Sequence, residues 1–141
     1  MCGIAGLFHY DGRRRPGHVE SRDAATFADV EVMVGGTRRG VPTAAREDID
    51  IALRMSASMI ARGPDSAGLW QDESGSVLFA QRRLAIIDPG AGGFQPMVFD
   101  GGRLVANFNG EIYNYKALKA ELEGRGRRFA TNSDTEVLLQ L

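Results

Sequence analysis

The stretch Met1–Phe8, MCGIAGLF, contains the only cysteine of the 141-residue chain, directly behind the opening methionine. From Gly3 to Tyr10 (GIAGLFHY) it reads as a mostly apolar strand carrying two glycines. Glycine within a strand marks close approach by a ligand or another backbone. A thiol at the head of such a strand invites a chemical reading. If Met1 is removed, which a small second residue favours, Cys2 carries both a thiol and a free α-amine. A free thiol has a pKa of ~8.5 and attacks as the thiolate. An α-amine, with a pKa of ~7.7–8.0, can accept its proton. Nucleophile and base then share one residue, and neither His9 nor His18 has to be recruited. The competing reading makes Cys2 a small buried hydrophobe, the usual state of a free cysteine.

Outward from this strand, residues 11–46 carry Pro, Gly, Asp and Arg without sustained periodicity. They read as a long loop or insertion, with a short helix expected at Ala24 to Val34. The run EDIDIALRMSASMIAR (47–62) places Ile49, Ala52, Leu53, Met55, Met59 and Ile60 near helical spacing, and Gly63–Pro64 stops it. Short strands are expected at Ala67 to Gln71, Ser76 to Gln81, Leu84 to Ile87 and Arg103 to Phe108. DPGAGGFQP (88–96) is a glycine-rich loop without the spacing of a nucleotide P-loop. Tyr115 to Glu123 reads as a helix. In TNSDTEVLLQL (131–141), Ser133 and Glu136 stand at capping-box spacing ahead of an apolar face.

Composition bounds the rest. A length of 141 residues suits one domain with a real core. A formal net charge of −1 gives no global field for nucleic acid or a membrane surface. Arg13 to Arg15, Arg38–Arg39 and Arg125 to Arg128 lack interleaved aromatics and read as solvated loops. One cysteine excludes an internal disulfide or a multi-cysteine zinc site, so no metal is expected. No apolar run reaches the ~20 residues of a membrane span, and no signal peptide is recognisable, so the expected location is cytoplasmic.

Six stretches, in order, carry a resemblance: MCGIAGLF (1–8), RGPDSAG (62–68), RRLAIID (82–88), GGFQPM (92–97), NGEIYNY (109–115) and TNSDTEVLL (131–139). Together they resemble the class II (N-terminal nucleophile) glutamine amidotransferase domain. Within that group the chain is most similar to the N-terminal domain of glutamine-hydrolysing asparagine synthetase, over residues 1–10 and about 50–141. The resemblance implies an α+β fold, the Ntn-hydrolase αββα four-layer sandwich of antiparallel sheets. It implies Cys2 as the nucleophile on L-glutamine, and Asn109 and Gly110 as the donors to the oxyanion. It implies that Arg83 grips the substrate α-carboxylate, with Arg82 as the neighbouring candidate. Backbone groups of Leu84, Ala85, Ile86 and Ile87 would contact the substrate, and Glu111 and Asp134 would bind its α-ammonium. Asp134 also has a plainer reading as a helix-capping residue. RGPDSAG and Gln95–Pro96 read as loops packed near the nucleophile, with Arg62 paired to Asp65.

Three departures stand out. The stretch 11–46 is long for the family, Ala61 stands where relatives carry histidine, and the chain stops at Leu141 short of further strands and of a synthetase domain. The expected organisation is therefore a fragment of an amidotransferase domain, with no cofactor of its own. ATP and Mg are implied for the missing synthetase domain, the expected partner, and a homo-oligomer stays open. Open alternatives are the glutaminase part of another amidotransferase (glucosamine-phosphate synthase type, or a secondary-metabolism asparagine synthetase homologue), and a non-catalytic glutamine-binding or truncated domain.

Overall fold

The computed structural model describes residues 2–8, 30–34, 37–38 and 46–141. In chain order its elements are β1 (Gly3–Phe8), β2 (Val30–Val34), β3 (Thr37–Arg38), α1 (Arg46–Ala57), β4 (Ser66–Gln71), β5 (Val77–Arg83), β6 (Met97–Phe99), β7 (Leu104–Ala106), α2 (Tyr115–Gly124) and α3 (Asp134–Gln140). Five strands form one sheet in the order β1-β5-β4-β2-β3, and β6 and β7 form a second, two-stranded sheet.

The β4–β5 hairpin is built around Asp72. Its carboxylate accepts from the Val77 N–H at 2.8 Å and from the Ser74 hydroxyl, and its own N–H donates to the Val77 carbonyl at 3.0 Å. Side chains alternate across a strand, so the register decides what each face carries. Ala5 lies opposite Ala80, and Ala80 opposite Leu69. These three, with Leu78, are buried beneath Ile49 and Ala52 of α1. Burying a leucine such as Leu69 stabilises by about 2 kcal/mol. Gly68 and Gln81 are also paired, on the alternate face. There Gln81 Nε2 donates to the Phe108 carbonyl at 3.2 Å. The segments flanking the β6–β7 hairpin thus lie across the sheet from α1. Helix α3 packs on β6 and β7, and α2 packs on α3.

Several expectations need correction. Residues 30–34 and 37–38 are strands, where a loop or the end of a short helix was expected; residues 24–29, His9, His18 and Arg13 to Arg15 lie outside the described residues. VEVMV carries three valines, and branching at Cβ favours an extended backbone once β4 supplies a neighbour. The β2–β4 pairing is parallel, so the larger sheet is mixed rather than wholly antiparallel; its other pairings are antiparallel. The helix expected over 47–62 ends at Ala57 and resumes only as a single 3₁₀ turn, Ile60–Arg62. Leu84 to Ile87 is not a strand, because the ladder with β1 and β4 ends at Arg82 and Arg83. The strand expected over 103–108 shortens to β7, and β6, three residues long, left too little periodicity to be seen. The capping box is only half formed. Ser133 Oγ accepts from the Thr135 N–H at 3.2 Å, while Glu136 turns away to the Ala130 and Thr131 N–H groups at 2.9 and 2.7 Å.

Candidate active site

The register that pairs Gly3 with Arg82 carries Cys2 to the end of β5. The Leu84 N–H there donates to Cys2 Sγ at 3.3 Å, and Sγ lies 3.8 Å from the Leu84 carbonyl oxygen. The Cys2 backbone is held by two distant motifs. Asn109 Nδ2 donates to its carbonyl oxygen at 3.2 Å and Arg62 Nε at 3.4 Å. Arg62 is therefore spent on Cys2 rather than on the expected Asp65. Asp65 instead accepts from the Ala85 N–H at 2.8 Å.

Cys2 opens onto a cavity of about 280 Å³, just under the range of about 300–1,000 Å³ usual for small-ligand pockets. Its lining includes Arg83, Leu84, Ile86 and Ile87 from the chain leaving β5, with Asn109, Gly110, Glu111 and Asp134. Of the substrate contacts named from sequence, Ala85 and the alternative arginine, Arg82, are not at the wall; the Ala85 N–H is turned to Asp65.

Arg83 is buried, and its guanidinium organises the loop that follows it. Nη1 donates to the Gly90 carbonyl at 3.2 Å; Nη2 donates to the carbonyls of Ile87, at 3.0 Å, and Asp88. Gly93 presses on the same group, where any Cβ would overlap the guanidinium. The Asp88 carboxylate accepts from the Asn132 N–H at 2.9 Å, which ties this loop to the approach of α3.

Asp134, buried at the start of α3, accepts from the Ile112 N–H at 3.0 Å through Oδ2. This bond joins the NGEIYNY turn to the helix start, while Glu111 remains exposed at the rim. The buried Glu136 accepts from the Ala130 and Thr131 N–H groups, from the Thr131 hydroxyl at 2.5 Å and from Gln140 Nε2 at 3.2 Å. Those donors fix the turn before α3, so Glu136 has a structural part.

Sequence reasoning did not name Gln95, Phe108, Tyr113 and Thr135 as wall residues. From sequence, Gln95 reads only as part of a loop packed near the nucleophile. Its side chain in fact reaches the cavity, accepting from the Phe108 N–H at 2.6 Å and donating to Thr135 Oγ1 at 3.0 Å. No spacing rule announces such a contact, since its ends are 13 and 40 residues from Gln95 in sequence. No group of three or more His, Cys, Asp or Glu suited to a metal occurs among the described residues.

The chain belongs to the glutamine amidotransferase domain family, whose model matches residues 33–141. It is homologous to glutamine-hydrolysing asparagine synthetases. It is 48% identical over 90 residues to asparagine synthetase [glutamine-hydrolyzing] 1 of Bacillus subtilis, covering 64% of this chain and 14% of that protein. Against asparagine synthetase B [glutamine-hydrolyzing] of Escherichia coli it is 43% identical over 90 residues, covering 64% of this chain and 16% of that protein. The amidase chry2 of Gibberella zeae aligns over the whole chain at 32% identity, which spans 18% of the fungal protein. No helix among the described residues is long and apolar enough to cross a membrane.

Proposed function

We propose that the chain hydrolyses L-glutamine to glutamate and ammonia through Cys2, once Met1 has been removed. The α-amine of Cys2 takes the thiol proton, and the sulfur attacks the side-chain carboxamide carbon. The new C–S bond pushes the carbonyl electrons onto oxygen. Collapse of that oxyanion breaks the C–N bond, and the departing nitrogen takes the proton from the α-ammonium, leaving as ammonia. A water, deprotonated by the same amine, opens the thioester and restores the thiol.

Asn109 and Gly110 are assigned to the oxyanion. An Asn amide has two N–H bonds. One rests on the Cys2 carbonyl, and the other is free to serve the substrate oxygen beside the Gly110 N–H. The α-carboxylate is assigned to Arg83, which spends three of its five N–H bonds on loop carbonyls and keeps two. Glu111 and Asp134 are assigned to the α-ammonium, with backbone groups of Leu84 to Ile87 along the side chain. We assign the fold to the four-layer αββα Ntn type, the ammonia acceptor to an ATP- and Mg-dependent synthetase region making asparagine from aspartate, and the location to the cytoplasm.

One observation carries the proposal: Cys2, Asn109 and Arg83, 107 and 81 residues apart from Cys2 in sequence, meet at one cavity that also holds two carboxylates. The test is glutamate release from L-glutamine by the purified chain and by Cys2→Ala, with the intact mass of each. Loss of Met1 and turnover that disappears in Cys2→Ala are expected. Equal turnover in Cys2→Ala overturns the proposal, and so does glutamine binding without turnover, which assigns the cavity to a sensor.

A further inference from the structure

We infer that Gln95 is a positioning residue that sets the oxyanion-donor loop against the start of α3; this rests on the function proposed above. The amide of Gln95 is used at both ends. Its Oε1 accepts from the Phe108 N–H at 2.6 Å, one residue before Asn109. Its Nε2 donates to Thr135 Oγ1 at 3.0 Å, one residue after Asp134. A single side chain therefore bridges the loop assigned to the oxyanion and the helix start assigned to the substrate α-ammonium.

Two features make that span rigid. The Gln95 backbone is pressed onto the large sheet at Gly68, where a Cβ would overlap its carbonyl and approach Pro96 Cδ to 3.2 Å. The peptide groups of Phe108 are held on both sides, the N–H by Gln95 and the carbonyl by Gln81 Nε2 at 3.2 Å. Asn107 Nδ2 adds a bond to the Ala80 carbonyl at 3.3 Å. Asn109 and Gly110 thus project from a segment tied to α3 before them by the Gln95 amide and after them by the Ile112 N–H to Asp134 bond. Glutamine fits the place because it is an acceptor at one end and a donor at the other. Methionine has its length and neither function.

Oxyanion donors act on the transition state, so misplacing them lowers kcat and leaves KM nearly unchanged. In Gln95→Met the expected result is a loss of about 100-fold in kcat for glutamate release, the scale of a misplacement near 1 Å. Exchange of the Phe108 amide proton should accelerate about tenfold, with β5 amides unaffected. Gln95→Glu should recover most of kcat, because a carboxylate still accepts from Phe108 and the Thr135 hydroxyl can turn to donate. Thr135→Val, which cuts only the α3 end, should raise KM for glutamine by several-fold with a smaller effect on kcat. The inference is overturned if Gln95→Met keeps kcat within about threefold of the parent while turnover still requires Cys2. It is also overturned if Gln95→Glu loses as much as Gln95→Met, or if Phe108 exchange is unchanged. Turnover that survives Cys2→Ala sinks the proposed function instead, and the exchange measurement then still decides whether Gln95 holds the loop.

Discussion

The face of the large sheet beneath α1 and the wall of the cavity at its far end are built from different chemistry. Under α1, the apolar side chains of Ala5, Leu69, Leu78 and Ala80 pack with Ile49 and Ala52. Around the cavity the contacts are polar and mostly run from a side chain to a backbone group: Arg83 to three carbonyls, Asp134 to the Ile112 N–H, Gln95 to the Phe108 N–H. Apolar packing is non-directional and scales with area. Hydrogen bonds are directional and can hold a loop to a fraction of an ångström. The sheet face therefore supplies stability and the cavity wall supplies geometry. Substitutions in the two regions should fail in different assays.

The largest effect expected of this contrast is at Asn109. Asn109→Ala should lower kcat/KM for glutamine hydrolysis by the ~2.7–4 kcal/mol typical of one lost oxyanion donor, while the thermal midpoint barely moves. Steady-state kinetics beside a melting curve checks it; a large fall in stability with little change in rate would erase the distinction between the regions. Leu69→Ala should do the reverse. It leaves a cavity under α1 and should cost about 3 kcal/mol in denaturant unfolding, with kcat per folded molecule unchanged. The smallest effect is at the hairpin. Burial of Asp72 by itself raises its pKa, but hydrogen bonds from Ser74 and from the Val77, Ser74 and Ser76 N–H groups outweigh it and hold the carboxyl below its ordinary value. A lowered folded-state pKa gives stability that is present above the unfolded value of ~3.9 and is lost as pH falls through the folded one. Asp72→Asn should therefore destabilise at neutral pH by less than about 1 kcal/mol, solvent screening keeping it small. The gap to the parent should close below about pH 4, as urea titrations at pH 7 and pH 3 would reveal.

What was legible in the chain follows the same division. The helix at 115–124 and the hairpin strands around 67–83 announce themselves because each is a local run of suitable residues bounded by turn residues. Cys2, Arg83, Asn109, Gly110, Glu111 and Asp134 were legible from motif order, and all six meet at one cavity. Less was legible where a long-range partner decides the outcome. VEVMV extends because β4 lies beside it. Glu136 leaves its capping-box position because the Ala130 and Thr131 N–H groups offer two donors at once. Ala85 turns from the wall because Asp65 is within reach.

By itself, then, the amino-acid sequence determined the residue types at the cavity, their order, and the local runs that become helix and hairpin, because these depend on local spacing. Tertiary structure alone decided which donor meets which acceptor: Arg83 on its own loop, Asn109 on the Cys2 carbonyl, Gln95 between Phe108 and Thr135. Those pairings join groups tens of residues apart, and hydrogen-bond direction, which no pattern along the chain encodes, selects among them.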